Sequence, residues 1–330
     1  MSIIGAGSWG TTLAVYLAKK GISVKLHSVF RQHNLEMKKE RENKSFLKNI
    51  KFPPCLDVEP SLEKTLNQEI ILIAIPVKFI RNTLKKIATK KIDLKNKIFV
   101  SVSKGIEVKS LKRVSEIIKE ELGTNHIAVL SGPTIANEVV RGIPTTAVIA
   151  AHKKQIGLKL QKLFNSQTFR VYLRNDIVGV ELGGSLKNII ALACGISDGL
   201  GFGTNTKAAL ITRGLVEIMR IGKELGAKPK TFWGISGLGD LMTTCYSPDS
   251  RNRTVGELVG KGKEIKKITQ EMEMVAEGVE TTKSAYKISK TLGISMPITE
   301  QIYAILYKNK SAYKAVIDLM NRPLKKERIN

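Results

Sequence analysis

The chain has 330 residues, and its 54 lysines and arginines outnumber the 29 aspartates and glutamates, so that the formal net charge is +25. The length allows two domains or one large domain, and a hydrophobic content of 42% excludes a wholly disordered chain. The longest apolar run, residues 70–77, is far shorter than the roughly 20 residues that span a bilayer, and glycines interrupt the first residues where a signal peptide needs an apolar segment. We therefore expect a soluble protein that is not exported.

The positive charge is spread along the whole sequence. No run of five or more like charges occurs, and there is no basic tail with interleaved aromatic residues, which is typical of nucleic-acid binders. We interpret most of the lysines as scattered surface charge. A basic binder of nucleic acid or anionic lipid remains as an alternative of a different class.

The cysteines and histidines indicate neither a disulfide framework nor a metal site. Cys55, Cys194 and Cys245 show no CxxC spacing, and their use favours a reducing compartment. The four histidines form no HxxxH or HExxH pattern. We expect no bound metal.

Short runs rich in Ile, Val and Phe alternate with charged, helix-like stretches over the first 175 residues. The runs are 22–26, 70–75, 98–102, 127–130, 146–150 and 169–172. This alternation is typical of βαβ units and a parallel sheet. After residue 172 the pattern changes to helices, at 182–196, 206–225, 253–260, 281–292 and 297–306. The sequence predicts a doubly wound α/β domain of the Rossmann type over 1–176, which binds a dinucleotide, and an all-α substrate domain over 177–330.

Gly5, Gly7 and Gly10 form a GxGxxG motif, with Ser8 and Trp9 between the last two glycines. The first glycine allows a tight turn, the second lets the backbone approach a pyrophosphate, and the third allows close packing of helix on strand. A helix of small and apolar residues and then a strand follow the motif, which favours a dinucleotide site over a merely structural turn. Only residues 1–4 precede it, so we expect a short first strand.

The second strand indicates which dinucleotide is used. NAD-preferring sites place an acidic residue about 20 residues after the glycine motif, and residues 26–31 contain none. A 2′-phosphate would not be repelled there, and Arg31 or His33 could bind it, although both could equally be ordinary surface residues. The pattern favours NADPH, or the use of both NADPH and NADH.

Lys187 is the only basic residue between Arg174 and Lys207, on a helix with a strongly apolar face. Burying a lysine is costly unless it is paired or its pKa falls, and a lowered pKa suits a proton-transfer group. The alternative is a lysine whose ammonium group reaches solvent along the helix.

Four other segments carry polar residues in positions that suit a substrate. Lys104 follows a predicted strand, at the edge of the sheet where ligands bind. Residues 131–134 follow the next strand and offer backbone N–H groups, and Asp240 lies in a charge-poor, glycine-rich stretch. Arg251 and Asn252 lie at a predicted helix start, which suits a phosphate group. The alternative is turn chemistry at strand ends for the first two segments and surface charge for the arginine.

A set of motifs occurs together and in this order: GAGSWGT, SVSKGIE, LSGPTIANEV, ELGGSLKNIIALACGISDGLGFGTNTKAAL, GLGDLMTTC, SRNR and AEGVETT. Over essentially its whole length the chain resembles the NAD(P)-dependent sn-glycerol-3-phosphate dehydrogenases of bacterial type. The resemblance implies interconversion of dihydroxyacetone phosphate and sn-glycerol 3-phosphate, which feeds phospholipid synthesis in the cytoplasm. Another two-domain dehydrogenase, of the hydroxyacid or ketopantoate reductase kind, is the alternative within the enzymes.

The resemblance also implies roles for individual residues. Lys187 matches the catalytic proton-transfer lysine of the family. The implied substrate contacts are Lys104, Gly132, Thr134, Lys187, Asp240, Ser250, Arg251 and Asn252. The implied or predicted cofactor contacts are Gly5, Gly7, Ser8, Trp9, Gly10, Arg31, Lys104, Ala136, Arg251, Val275 and Glu277. Residues 27–30 depart from the family, which often has an aromatic and then basic residues there. A homodimer is plausible because the second domain is apolar and helical.

Overall fold

The computed structural model describes residues 1–271, 276–324 and 326–327 of the chain. The chain divides into two units: unit 1 comprises Met1–Ser103 and Val114–Ile177, and unit 2 comprises Lys104–Arg113 and Val178–Asn330. The segment Lys104–Arg113 therefore leaves unit 1 for unit 2, and the chain then returns to unit 1. The two continuous ranges expected from the sequence do not contain this excursion.

Unit 1 alternates strands with helices in chain order. Its elements are β1 (Ser2–Ile4), α1 (Ser8–Lys19), β2 (Val24–His27), α2 (Arg31–Glu40), β3 (Glu42–Asn43), β4 (Leu47–Lys51), β5 (Leu56–Val58), α3 (Leu62–Leu66), β6 (Ile70–Ile73), α4 (Val77–Ala88), β7 (Ile98–Ser101), α5 (Val114–Leu122), β8 (Ile127–Ser131), α6 (Ala136–Val140), β9 (Thr145–Ala151), α7 (Lys154–Phe164) and β10 (Phe169–Arg174). The first strand is short, as predicted.

Eight strands form one sheet in the order β10-β9-β8-β7-β6-β1-β2-β5, and β3 and β4 form a separate pair. All neighbours in the large sheet are parallel except β8 and β9, so β9 and β10 run against the other six strands. Only the five-residue helix α6 joins β8 to β9. A parallel crossover generally needs a longer connection, so here the chain turns back beside β8. The predicted doubly wound α/β fold is confirmed.

Side chains of alternate strand residues pack on the two faces of the sheet, each under helices. On β6, Leu72 belongs to the core beneath α1, whereas Ile71 and Ile73 belong to the core beneath α4 and α5. Strands buried on both faces read as continuous runs of Ile, Val and Leu. This explains why residues 70–75 lack a polar alternation.

In unit 2, the described regular elements are helical. They are α8 (Ile177–Gly199, whose first residue belongs to unit 1), α9 (Thr204–Glu224), α10 (Pro229–Phe232), a π-helical turn (Ile235–Gly239), α11 (Asp240–Tyr246), α12 (Arg251–Gly260), α13 (Ile265–Glu271), α14 (Glu277–Thr291), α15 (Pro297–Lys308) and α16 (Ala312–Met320). The predicted helical second half is confirmed. The predicted helix over 182–196 is part of the longer α8.

Helix α8 contributes many of its side chains to the hydrophobic core of unit 2. By length and apolar composition it could cross a membrane, and among the described residues no other helix could, but 94% of its most apolar window is buried. A buried helix of this kind is apolar all round because protein surrounds it. Its burial agrees with the apolar face predicted around Lys187.

Two pairs of glycines bring α8 and α12 into backbone contact. A Cβ on Gly195 would lie 2.0 Å from the carbonyl oxygen of Arg253, and a Cβ on Gly256 would lie 2.2 Å from that of Leu192. Gly199 and Gly260 are equally close to the opposite helix. These contacts determine where the first turn of α12 lies relative to α8.

Candidate active site

The glycine loop of unit 1 joins β1 to α1. Gly5 has φ +114°, and a Cβ there would lie 2.2 Å from the carbonyl oxygen of Ala74. A Cβ on Gly10 would lie 2.0 Å from the carbonyl oxygen of Gly5, so both positions exclude a side chain. Around Gly7, in contrast, no described atom beyond its own chain neighbours lies within 4 Å of the Cβ position.

Gly7 is also the N-cap of α1, and the first turn of α1 contains no acidic residue. The first backbone N–H groups of a helix have no partner within the helix, and they favour an anion. Open space at Gly7 and a helix N-terminus without acidic side chains therefore fit the pyrophosphate of a dinucleotide. Ser8 and Trp9 lie in this first turn, and the buried indole N–H of Trp9 has no hydrogen-bond partner among the described residues.

The residues after β2 form a network of hydrogen bonds. The Ser28 backbone N–H donates to Asn34 Oδ1 over 2.8 Å, and the two ring nitrogens of His33 lie 3.1 Å from Ser28 Oγ and 3.1 Å from Asn43 Oδ1. The Asn43 amide in turn donates to the carbonyl oxygen of Ala6 in the glycine loop. His33 therefore supports the loop internally. Arg31 is exposed at the first position of α2.

In unit 2, Asp240 connects two lysines. The ammonium group of Lys187, on α8, donates to Asp240 Oδ1, and the ammonium group of Lys104 donates to Asp240 Oδ2 over 2.7 Å. Lys187 is 5% exposed and Asp240 is 1% exposed, so this cluster of three charges is largely removed from water. A buried carboxylate that accepts from two ammonium groups compensates part of the cost of burying all three.

Thr244, one turn after Asp240 on α11, completes the contacts of Lys187. The Thr244 hydroxyl donates to the Asp240 carbonyl oxygen over 2.7 Å, and the Thr244 hydroxyl oxygen accepts from Lys187 Nζ over 2.5 Å. The sequence analysis missed this residue. The signal that could have found it is the spacing of four residues between an acid and a hydroxyl on a short helix.

Burial lowers the pKa of Lys187 to about 8, from an ordinary value of 10.5. The negative charge of Asp240 opposes this shift, and the positive charge of Lys104 adds to it. A lysine with a pKa near 8 exchanges a proton readily close to neutral pH. Lys187 is therefore suited to proton transfer.

Glycines also explain how α11 comes so close to α8. Gly183 lies one turn before Lys187, and a Cβ there would lie 2.6 Å from the carbonyl oxygen of Ser236 in the π-helical turn. A Cβ on Gly237 would lie 2.1 Å from the carbonyl oxygen of Phe232. The π-helical turn ends at Gly239, immediately before Asp240. The absence of a side chain at Gly183 lets the turn pack on α8 and bring Asp240 to Lys187, and the absence of one at Gly237 lets the turn pack on the end of α10.

The predicted phosphate residues lie at the start of α12. Ser250 is the N-cap of this helix, and its hydroxyl accepts from the Arg253 N–H over 3.3 Å. Asn252 is buried, and its side-chain oxygen accepts from the backbone N–H of Gly278 over 2.9 Å, in the first turn of α14. Arg251 is at the surface, at the first position of α12. Partial desolvation by its surroundings lowers the pKa of its guanidinium, and the negative charge of Glu277 opposes this shift.

Comparisons with known proteins identify the family of the chain. The N-terminal family model of NAD-dependent glycerol-3-phosphate dehydrogenase matches residues 1–157, and the C-terminal model matches residues 176–317. The chain belongs to the NAD-dependent glycerol-3-phosphate dehydrogenase family. The predicted resemblance is confirmed, and with it a nicotinamide cofactor.

Relatives and solved structures agree with this family. The chain is 48% identical to a glycerol-3-phosphate dehydrogenase [NAD(P)+] of Thermoanaerobacter sp. (strain X514), covering 99% of this chain and 98% of the relative. The crystal structure of glycerol-3-phosphate dehydrogenase from Coxiella burnetii is similar with a TM-score of 0.93 and 38% identity, covering 97% of this chain and 98% of that one. A ketopantoate reductase from Ralstonia eutropha, with a TM-score of 0.60, 13% identity and 96% of this chain covered against 100% of its own, shares only the fold.

The structure distributes the predicted site residues of this dehydrogenase between the two units. Gly132, Thr134 and Ala136 follow β8 in unit 1, where Gly132 has φ +150° and the Thr134 hydroxyl donates to the Gly132 carbonyl oxygen over 3.1 Å. In unit 2 the structure joins Lys104, Lys187 and Asp240 directly. Val275, predicted as a cofactor contact, lies outside the described residues.

Glu217 is another buried titratable residue of unit 2, and its contacts are structural. Burial raises its pKa to about 7, and its carboxylate accepts from the backbone N–H groups of Ile298 and Thr299 at the start of α15. Its oxygens thus cap α15 from α9. This is a structural contact between two helices.

Among residues 1–271, 276–324 and 326–327, no group of three or more His, Cys, Asp or Glu side chains could hold a metal ion.

Proposed function

We propose that the protein interconverts dihydroxyacetone phosphate and sn-glycerol 3-phosphate, with Lys187 as the residue that transfers the proton. The bound nicotinamide supplies or accepts the hydride at the carbon that carries the reacting oxygen. In reduction, the ammonium form of Lys187 donates a proton to that oxygen, and in oxidation the neutral amine takes it from the hydroxyl. The buried contact of Lys187 with Asp240 carries the proposal, in a member of the glycerol-3-phosphate dehydrogenase family.

Asp240, Thr244 and Lys104 hold the proton-transfer group in place. Asp240 accepts from both lysines, so it restrains the Lys187 ammonium to one position, and Thr244 restrains it further. Lys104 orients the substrate oxygens and stabilises negative charge on them. Such positioning lowers the entropic part of the barrier.

Arg251 and Asn252 bind the phosphate of the substrate at the N-terminus of α12, and Gly132 and Thr134 are further substrate contacts. A guanidinium and a helix N-terminus both favour a phosphate, because each offers N–H donors and positive charge. Arg251 is exposed and can reach a ligand, whereas the Asn252 side-chain oxygen and the Ser250 hydroxyl serve the fold. Arg251 therefore carries most of the proposed phosphate affinity.

The cofactor lies with its pyrophosphate against Gly5, Gly7 and Gly10. Ser8, Trp9, Ala136, Lys104, Arg251 and Glu277 are further contacts, together with Val275 from the sequence alone. We propose a preference for NADPH over NADH. Ser28 stands where an acid would repel a 2′-phosphate, and exposed Arg31 supplies positive charge, whereas His33 is engaged with Ser28 and Asn43.

We also propose a cellular compartment and an oligomeric state for the enzyme. The enzyme acts in the cytoplasm, where it supplies glycerol 3-phosphate for phospholipid synthesis. It forms a homodimer, and the exposed Tyr313, Ile317 and Met320, which follow one side of α16, support this association. Light scattering of the wild type and of Ile317→Lys tests it, since a monomeric wild type would contradict a dimer.

One assay tests the function. Purified protein is mixed with dihydroxyacetone phosphate and either NADPH or NADH at equal concentration, and loss of nicotinamide absorbance is followed. We expect turnover with both and faster turnover with NADPH. Ketopantoate and 2-keto acids serve as comparison substrates, and faster turnover with any of them would contradict the proposed substrate. Faster turnover with NADH would contradict the cofactor preference alone.

A further inference from the structure

The segment Lys104–Arg113, here called the Lys104 loop, is attached to unit 2 at three points. The Lys104 ammonium donates to Asp240 Oδ2 over 2.7 Å. Ile106 is buried in the hydrophobic core of unit 2, and its carbonyl oxygen accepts from the Ser284 hydroxyl over 2.9 Å. At the far end of the loop, Arg113 Nη1 donates to Glu181 Oε2 over 2.6 Å.

The loop is closed on itself, so its two ends move together. Ile106 and Arg113 form an antiparallel bridge, and the Glu107 N–H donates to the Lys112 carbonyl oxygen over 3.0 Å. The Leu111 N–H donates back to the Glu107 carbonyl oxygen, with Leu111 at φ +61°. Because the bridge joins Arg113 to Ile106, an anchor at Arg113 also restrains the residues just before Ile106, and Lys104 is one of them.

The ion pair at the far end is shielded from water. The side chain of Arg113 is 15% exposed and that of Glu181 is 4% exposed, whereas several other ion pairs of the chain have partners that are more than half exposed. A shielded arginine–carboxylate pair has a defined geometry, because its charged hydrogen bonds are short and directional. Glu181 belongs to α8, the helix that carries Lys187.

We propose that the Arg113–Glu181 ion pair is a positioning element for the reaction, which keeps the Lys104 loop on unit 2 so that the Lys104 ammonium stays on Asp240 beside Lys187. Arg113 and Glu181 are positioning residues, since they act through Lys104. The inference rests on the proposed proton transfer by Lys187.

A positioning role of the Arg113–Glu181 ion pair should affect the pKa of Lys187, whereas a purely structural ion pair should not. The positive charge of Lys104 lowers the pKa of Lys187, and Lys104 also shares the carboxylate that would otherwise raise this pKa. A released Lys104 loop therefore raises the pKa of Lys187. Asp240 and Lys104 are the charged groups that act on Lys187. The charge of Lys187 acts in turn on the buried thiol of Cys245, on which Cys194 and Lys207 also act.

The test is the pH midpoint of Lys187, measured by competitive acetylation of the full-length protein and mass spectrometry of the peptide that contains it. This readout does not depend on turnover. Arg113→Met and Glu181→Gln should each move the midpoint upward by about half a pH unit or more, in the same direction as Lys104→Met. Arg113→Lys, which keeps a cation for Glu181, should restore the wild-type midpoint.

The two variants distinguish the loop from a direct effect of charge. Loss of the Glu181 carboxylate acting directly would lower the midpoint, whereas loss of the Arg113 cation would raise it, so shifts in opposite directions would overturn the proposal. An unchanged midpoint with a lower Tm would overturn it as well. Arg81→Met removes a partly buried arginine from its pair with Glu121 in unit 1, and it serves as a control that should change stability alone.

Turnover separates this proposal from the proposed function. The same variants should shift the pH profile of kcat for glycerol 3-phosphate oxidation by the same amount as the labelling midpoint. A wild type without turnover on dihydroxyacetone phosphate would refute the function, while the labelling midpoints would still decide whether the ion pair controls Lys187.

Discussion

The glycine loop of unit 1 and the Lys187 cluster of unit 2 are built in opposite ways. The loop uses backbone: two of its glycines exclude any side chain, the third leaves open space, and no acidic residue occurs in the first turn of α1. The Lys187 cluster uses side chains, with two lysines on one carboxylate, largely out of water. One site depends on shape and the other on charge.

This difference determines how each site responds to change. Backbone N–H groups do not titrate, so the glycine loop should respond to added atoms and hardly to pH. The interaction of buried charges depends strongly on protonation, because little water screens them. The four predictions below test this contrast, beginning with the largest expected effect.

Replacement of Lys187 by alanine removes the proton donor from the charge-based site. We expect kcat to fall roughly 10²–10⁴-fold, the usual contribution of a general acid or base, while the affinity for NADPH stays within a few-fold of the wild type. Steady-state kinetics and fluorescence titration with NADPH measure the two quantities. Lys207→Ala is the matched control, since Lys207 pairs with Asp198 on the same helix as Lys187. A near-normal kcat in Lys187→Ala would exclude the proposed role.

Replacement of Arg251 by alanine removes the positive charge that binds the substrate phosphate. This charge takes no part in proton transfer. A lost charged hydrogen bond costs about 1.5–3 kcal/mol, so KM for dihydroxyacetone phosphate should rise about 10–100-fold. The KM for unphosphorylated dihydroxyacetone should hardly change. Arg253→Ala is the control, because the Arg253 side chain pairs with Asp198 and is not a proposed phosphate contact. Equal effects of Arg251→Ala on both substrates would exclude a phosphate contact.

Gly7→Ala and Gly10→Ala distinguish cofactor binding from folding in the glycine loop. Gly7 has φ −74° and free space, so Gly7→Ala should fold with an unchanged Tm and bind NADPH about tenfold more weakly, because the methyl group occupies the phosphate position. Gly10→Ala should lower Tm as well, since its Cβ meets the Gly5 carbonyl oxygen. Calorimetry measures both variants. Unchanged affinity in Gly7→Ala would show that the pyrophosphate lies elsewhere.

The pH dependence of kcat should differ between variants of the two sites, and this is the smallest of the four expected effects. Oxidation of glycerol 3-phosphate needs the neutral amine of Lys187, so its kcat should rise with pH through about 8, and ketone reduction should decline over the same range. Asp240→Asn removes the charge that raises this pKa, so its midpoint should move to lower pH. Gly7→Ala should leave the midpoint in place. If Gly7→Ala moves the midpoint and Asp240→Asn leaves it unchanged, the contrast between a backbone-based site and a charge-based site is wrong.

Much of unit 1 could be predicted from the sequence because its determinants are local. The glycine motif, the apolar runs and the intervening helices each lie within a few residues, and the strands at 70–73 and 98–101 coincide with predicted runs. The direction of the last two strands, β9 and β10, was not predicted. Direction depends on how the chain returns after α6, and periodicity does not report it.

The sequence by itself determined the family, the two halves of the chain and the importance of Lys187, whose isolation among apolar residues is visible in one dimension. Only the tertiary structure decided what Lys187 touches. Lys104 and Asp240 come from distant segments. They meet at Lys187 because Gly183 lets the π-helical turn pack on α8 and because the Lys104 loop belongs to unit 2. Such contacts depend on backbone separations of a few ångströms, which residue types and spacing along the chain do not encode.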